Sequence, residues 1–252
     1  MTGDGGRASL RSGEAALARV VNTVLLDFGG TLDSDGVHWS TQLAAAFASS
    51  GVLVKRSALD RAFLEVDHEL ERWPPIATCS LEEHAVEQAR RMLVRLDLDE
   101  ERAPAVGRGF ARRAEAQLRR SAELLSAARS GGDRPRFGVV SNFTTNLERI
   151  LHDVGLDRLL DVVVCSEAVG LRKPDAAIFR LALDRLGARA DEAAMIGDSL
   201  RADMAPARAL GLMTIWLHGD EVFGGGDLSA VDHEVRTLAE ALALCAPGVG
   251  PR

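Results

Sequence analysis

The sequence predicts an α/β protein: a parallel β-sheet covered by helices on both faces, with a helical module inserted into it. Three observations carry that expectation. Short apolar runs recur along the chain, and several stop abruptly at a polar side chain, as buried parallel strands do at their carboxyl ends. Between most of them lie stretches with apolar residues at helical spacing. From His38 to about Arg129 the pattern stays helical, and the next strand comes only afterwards.

The first strand is Val24-Leu25-Leu26, closed by Asp27 and followed by Phe28-Gly29-Gly30-Thr31-Leu32, where glycines let the backbone approach a ligand. Asp33-Ser34-Asp35-Gly36 is turn chemistry. Leu59, Phe63, Val66 and Leu70 then recur at helical spacing, as do Leu81, Ala85, Ala89, Met92 and Leu96, and Val106, Phe110, Ala114 and Leu118. Ser57 with Asp60 and Ser80 with Glu83 mark helix starts, the latter as a capping box, and Trp73-Pro74-Pro75 separates two helices. Strands return with Phe137–Val140, ending at Ser141-Asn142, and a helix marked by Thr145 and Glu148 follows. Asp161 to Cys165 is a third strand, and Lys173-Pro174-Asp175 opens a helix reaching Gly187, with the proline near its first turn. Ala193–Ile196 is a fourth strand ending in Gly197-Asp198, with Asp203 at the entry to the next helix. Gly211 to Leu217 is a fifth strand, Gly224-Gly225-Gly226 a flexible loop, and a short strand near Val235 and a helix through Leu244 complete the domain. The expected division is a tail over residues 1–19, a core over 20–36 and 130–252, and a helical module over 37–129.

With 252 residues, 46% of them hydrophobic and 27% charged, the chain suits one large domain or a core carrying an insertion. A net charge of −7 argues against nucleic-acid or anionic-membrane binding, and no apolar stretch reaches membrane-spanning length. Cys79, Cys165 and Cys245 have no metal-ligand spacing and are odd in number, which suits a reducing, cytoplasmic setting. Residues 1–19 hold no continuous apolar segment, so they read as a mobile tail and not as a secretory signal. Arg112, Arg113, Arg119 and Arg120 read as a solvated helix face. No feature sets an oligomeric state.

Three strands thus end in polar groups: Asp27, Ser141-Asn142 and Asp198. In a parallel sheet those ends share one edge, and Lys173 and Asp203 lie on connections to it. Clustered carboxylates suit a hard cation, Mg²⁺ above all, while a lysine and a hydroxyl suit the oxygens of a phosphoryl group. Taken singly, Ser141-Asn142 also fits a turn, Lys173 a solvated surface position and Asp203 a helix N-cap. Asp198 is harder to explain without a partner, because it closes an apolar strand.

Together, Asp27-Phe28-Gly29-Gly30-Thr31, Ser141-Asn142, Lys173-Pro174 and Gly197-Asp198-Ser199 with Asp203 resemble the four ordered motifs of the haloacid dehalogenase-like hydrolase superfamily. The resemblance covers residues 20 to about 218, and the helical insertion falls where capped members carry their cap. It implies a Rossmann-like core with a helical cap, a small phosphorylated substrate and an aspartyl-phosphate route. Asp27 would be the nucleophile, and Gly30, Thr31, Ser141 and Asn142 would hold the phosphoryl group. Lys173 would offset negative charge, and Mg²⁺ would bind Asp27, the Gly29 carbonyl and Asp198, with Asp203 close behind.

One position departs from the family pattern. Phosphatases of the family carry an acid/base Asp two residues after the nucleophile, where this chain has Gly29. Losing that group costs roughly 10²- to 10⁴-fold in rate. Three readings remain. The first is a phosphatase whose proton comes from Asp33, Asp35, His38, the cap or the substrate, favouring good leaving groups. The second is a carbon–halogen or carbon–phosphorus hydrolase, the latter needing Lys55 as its cap lysine. The third is a phosphate-binding module with turnover lost. Asp33, Asp35, His38 and Trp39 follow the nucleophile directly and are expected to face the cleft.

Overall fold

The computed structural model describes residues 20–130, 134–219 and 225–246. The expected tail, residues 1–19, and Gly224 of the glycine loop lie outside the described residues. Among the described residues six strands form one sheet: β1 (Thr23–Leu26), β2 (Arg136–Ser141), β3 (Val162–Cys165), β4 (Ala193–Gly197), β5 (Met213–Leu217) and β6 (His233–Val235). All neighbours pair in parallel, in the order β3-β2-β1-β4-β5-β6. The chain therefore runs outward from β1 in one direction and then in the other. The crevice between β1 and β4 is the switch point at which such sheets bind ligands.

Alternation within the strands explains how both faces are covered. Val24, Leu26, Phe137, Val139, Ala194 and Ile196 join one apolar cluster, while Leu25, Val140, Val164 and Met195 join another. The second face is covered by α7 (Ala176–Leu186) and α8 (Ala205–Leu210), through Ile178, Phe179, Ala182 and Ala207. The first is covered by α5 (Leu147–Asp153) and α9 (Leu238–Leu244), and it is continuous with the helical insertion. A short α6 (Ser166–Val169) follows β3 directly.

Among the described residues between β1 and β2 there are four α-helices: α1 (Trp39–Ser49), α2 (Arg56–Glu71), α3 (Leu81–Arg95) and α4 (Ala103–Arg129). Ser80 and Glu83 form the expected capping box, with bonds of 2.7 and 3.2 Å. Arg112, Arg113, Arg119 and Arg120 are exposed, as a solvated face requires. No helix among the described residues is long and apolar enough to cross a membrane.

Several local expectations are corrected. Helix α2 begins at Arg56 with Lys55 at its cap, and Asp60 instead pairs with Arg56 one turn earlier, at 2.8 Å. Helix α5 starts after Asn146 and not at Thr145. Asp175 caps α7 by accepting a bond from the Ala177 N–H, so Pro174 stands outside that helix. Gly211 ends α8 with φ of +90°, and β5 begins only at Met213.

Candidate active site

Register places the functional side chains. Leu26 lies opposite Ile196 on one side and Val139 on the other, so Asp27 leaves β1 level with the ends of β4 and β2. The Asp27 N–H continues the ladder to the Ile196 carbonyl at 3.0 Å. Oxygens of Asp27, Asp198 and Asp203 then fall within 4.8 Å of one another. Lys173, buried at the start of the α7 connection, places its Nζ 2.7 Å from Asp27 Oδ1 and 2.7 Å from Asp203 Oδ1.

Two glycines make this crowding feasible. At Gly30, φ is +84°, and a Cβ would stand 2.2 Å from Asp198 Oδ2. At Gly197 a Cβ would stand 2.4 Å from Asp203 Oδ2. Both carboxylates therefore pack on bare backbone. Further bonds hold the set in place. The Trp216 indole N–H donates to the Asp198 carbonyl at 2.8 Å, and the Ser199 N–H donates to Asp203 Oδ2 at 3.1 Å. The Asn142 amide donates to the Lys173 carbonyl at 2.9 Å and accepts from the Lys173 N–H at 2.8 Å. Asn142 thus clamps the lysine's main chain, although it also lines the pocket.

The charges are strongly coupled. Burial opposes the Lys173 ammonium, but Asp203 and Asp27 more than offset it and hold its pKa above the ordinary range. Burial pushes Asp203 up to about 6, with Lys173 pulling down and Asp27 adding to the rise. Asp198 is raised well above the usual carboxylate range by burial and then by Asp27 and Asp203. Formally, three carboxylates and one ammonium leave the cluster at −2. Among the described residues Asp198 has no ion-pair partner. That excess of hard oxygen donors fits a divalent cation such as Mg²⁺.

The cluster lies in a cavity of about 350 Å³. Asp27, Gly29, Ser141, Asn142, Lys173 and Asp198 line it from the sheet edge, and Trp39, Phe63, Leu64, Asp67 and Phe143 enclose it elsewhere. Phe143, Leu64, Asp67, Arg172 and Arg201 also line the cavity, and no sequence motif marks them. Phe63, whose spacing marks it only as one member of a core stripe, is buried on α2, one turn from Asp67 on the same side of that helix. Burial raises Asp67 to about 6, helped by Glu71 and opposed by Arg172.

The residues after Asp27 divide. His38 and Trp39 line the cavity, whereas Asp33 and Asp35 do not. Asp33 is buried beneath the turn, accepting from the Gly30 N–H at 2.7 Å, from Gln42 at 3.1 Å and from the Trp39 indole. Burial takes it up to about 7 against those donors. Asp35 ties the turn to the helices, accepting from the Leu238 N–H at 2.8 Å and from Gln117 at 2.9 Å. Nδ1 of His38 accepts the Ser40 N–H at 3.2 Å, so the neutral ring carries its proton on Nε2. Burial lowers its pKa to about 4, partly opposed by Asp27. Thr31 is fully buried and does not line the cavity, and its hydroxyl has no partner among the described residues. Its expected phosphate contact is therefore absent from this geometry. Lys55 is exposed at the α2 cap and is not a cavity residue. The three cysteines are free.

Comparison with known proteins agrees with this architecture. A family model for haloacid dehalogenase-like hydrolases matches residues 21–211. The ribulose-1,5-bisphosphate 5-phosphatase of Halopiger xanaduensis is 38% identical over 114 residues, 42% of this chain and 48% of that protein. The phosphoserine phosphatase of Thermus thermophilus is 35% identical over 109 residues, 41% of this chain and 44% of that protein. The chain thus spans less than half the length of either relative. Among solved structures, a dehalogenase with an intermediate complex superposes with a TM-score of 0.63 at 19% identity, covering 92% of this chain and 100% of that one. A HAD phosphatase from Thermococcus onnurineus gives 0.52 at 22% identity, covering 89% and 97%. At those identities the likeness is one of fold. With the family model running from the first strand to the end of α8, through every strand end that lines the cavity, the chain belongs to the haloacid dehalogenase-like hydrolases.

Proposed function

We propose that this chain is a Mg²⁺-dependent phosphatase acting on a small phosphorylated molecule through an aspartyl-phosphate at Asp27. The observation that carries this reading is the Asp27 carboxylate at the cavity, 2.7 Å from Lys173 and grouped with Asp198 and Asp203. The phosphatase names of the two sequence relatives support it.

Asp27, Asp198 and the Gly29 carbonyl would hold Mg²⁺, with Asp203 behind them. Bound there, the cation supplies Lewis-acid stabilisation of charge on the phosphoryl oxygens. Asp27 attacks phosphorus, and the bond from phosphorus to the ester oxygen breaks with its electron pair leaving on that oxygen. Water then attacks phosphorus, the bond from phosphorus to the Asp27 oxygen breaks with its electron pair returning to the carboxylate, and the water's proton passes through solvent to the departed oxygen, leaving inorganic phosphate and the alcohol. Ser141 and Lys173 face the phosphoryl group and Asn142 keeps the lysine in place. The helical insertion, residues 37–129, acts as a cap whose α2 forms one wall of the cavity.

The departing oxygen receives no proton from a side chain two residues beyond Asp27. Asp33 and Asp35 are engaged elsewhere, and His38 offers an N–H donor at Nε2 in place of an acid. Substrates with stable leaving anions, such as acyl and aryl phosphates, are therefore favoured. Carbon–halogen cleavage is a second reading, favoured by Gly29 because that chemistry also dispenses with the acid. The lysine-dependent phosphonate route has no support, because Lys55 lies away from the cavity.

The test is phosphate release from aryl and alkyl phosphates with Mg²⁺, with halide release from 2-haloacids in parallel. Aryl phosphates should turn over fastest, and Asp27→Asn should lose at least about 10³-fold with its thermal transition retained. Halide release without phosphate release would replace this reading with the second one.

A further inference from the structure

Beyond the carboxylate–lysine cluster, the cavity contains one more acid, and it lies on the helical insertion. Asp67 shares one side of α2 with Phe63, so a ligand held at Asp27 meets both apolar surface and a carboxylate on this wall. The Asp67 carboxylate is half-buried and makes no hydrogen bond or ion pair among the described residues. The adjacent guanidinium is already committed, since Arg172 pairs with Glu71 at 2.6 Å and approaches Glu167 at 3.6 Å. Asp67, Glu71 and Glu167 against Arg172 leave the α2 wall acidic, with His68 the remaining titratable group beside them, while Arg201, the other arginine of the cavity, stands on the segment after β4. A half-buried carboxylate that lines a ligand cavity without a donor is a ready acceptor for one that a ligand brings.

Resting on the phosphatase reading, we infer that Asp67 is a specificity-determining residue that selects substrates whose leaving group carries a protonated amine. The phosphate end is anionic and is met by Lys173, while the far end is met by an acid in an acidic setting, so the complementary ligand is cationic there. Phe63, Trp39 and Phe143 line the same cavity and offer apolar surface to its methylene groups. A cavity of about 350 Å³ suits a molecule of that small size. An ammonium near the ester oxygen also makes the departing alcohol more acidic, which complements a site lacking its own acid.

The test measures binding calorimetrically at pH 8 with Mg²⁺, using Asp27→Asn protein so that the ester survives. Phosphoethanolamine is compared with propyl phosphate, which has a methyl group in place of the ammonium, and with inorganic phosphate. Asp27→Asn should prefer phosphoethanolamine at least tenfold. In Asp27→Asn/Asp67→Asn, with its fold checked by thermal unfolding, that ratio should fall to near one, and Asp67→Glu should restore part of it. Equal binding of the two esters, or a preference that survives Asp67→Asn, overturns the inference while the phosphatase reading stands. Failure to bind inorganic phosphate at all, with no ester hydrolysed by the native protein, removes the phosphatase reading and this inference with it.

Discussion

The two sides of the cavity are built on different terms. On the sheet side the groups are tied to one another: Lys173 bridges Asp27 and Asp203, Asn142 grips the Lys173 main chain, Trp216 holds the Asp198 carbonyl, and bare glycine backbone supports two of the carboxylates. On the helical side the wall is aromatic and aliphatic, with Asp67 as an acid that has no partner among the described residues. The sheet side is thus preorganised for a fixed chemical group, and the helical side is left to be completed by the variable part of a ligand.

Breaking the sheet side should have the largest effect. Lys173→Met removes the cation shared by two buried carboxylates, so stability should fall by about 3–5 kcal/mol and turnover by roughly 10²–10³-fold. Denaturant unfolding and steady-state kinetics check both, and a variant as stable as the native protein would show that the three acids tolerate one another unaided. Gly30→Ala comes next. Its Cβ would collide with Asp198 at a backbone angle that L-residues avoid, so about 1–2 kcal/mol of strain and a rate loss near 10²-fold are expected. Unchanged Mg²⁺-induced thermal stabilisation in that variant would mean that Asp198 is not held as described.

The contact between the two sides, where Gly29 meets Trp39 of α1, is probed more gently. Restoring an acid with Gly29→Asp brings its Cβ to 3.3 Å from the Trp39 indole, which is boxed in by Phe28, Phe110, Phe143 and His84. That substitution alone should destabilise by about 1–2 kcal/mol and give no gain on alkyl phosphates. Combined with Trp39→Leu it should raise alkyl-phosphate turnover, and a gain without the second change would show that the indole yields.

The smallest effect concerns His84, buried behind Trp39 and Phe143 with its pKa lowered to about 4 by burial. Below its ordinary pKa near 6.5 the unfolded chain takes up a proton that the folded chain refuses. Its contribution to stability is therefore intact at neutral pH and lost progressively as pH falls towards 4. The native protein's stability difference from His84→Gln should shift against the native protein by about 1.3 kcal/mol between pH 7.5 and 5.5. Parallel unfolding free energies at the two pH values would contradict a buried neutral ring.

The sequence was most legible where covalent order and periodicity carry the information. The strand ends at Asp27, Ser141 and Asp198, the helical stretch between β1 and β2, and the Ser80–Glu83 cap all follow from local pattern, and they stand where local pattern puts them. Helix starts assigned to Ser57 and Thr145 did not survive, because a polar residue near a helix start is only one of several ways to satisfy the first N–H groups. Nor could proximity to Asp27 along the chain sort Asp33 and Asp35 from His38. A turn rotates successive side chains in different directions, and only the packed helices decide which of them faces the cavity.

By itself the sequence determined which chemical groups are delivered to the carboxyl edge of the sheet, since strand alternation and parallel register leave those side chains almost nowhere else to go. Tertiary structure alone decided that Lys173 neutralises two acids and not three, that Asn142 serves the lysine, that Trp39 fills the space above Gly29, and that Asp67 lines the cavity without a partner among the described residues. Each of those outcomes depends on contacts between segments far apart in the chain, and no local period encodes them.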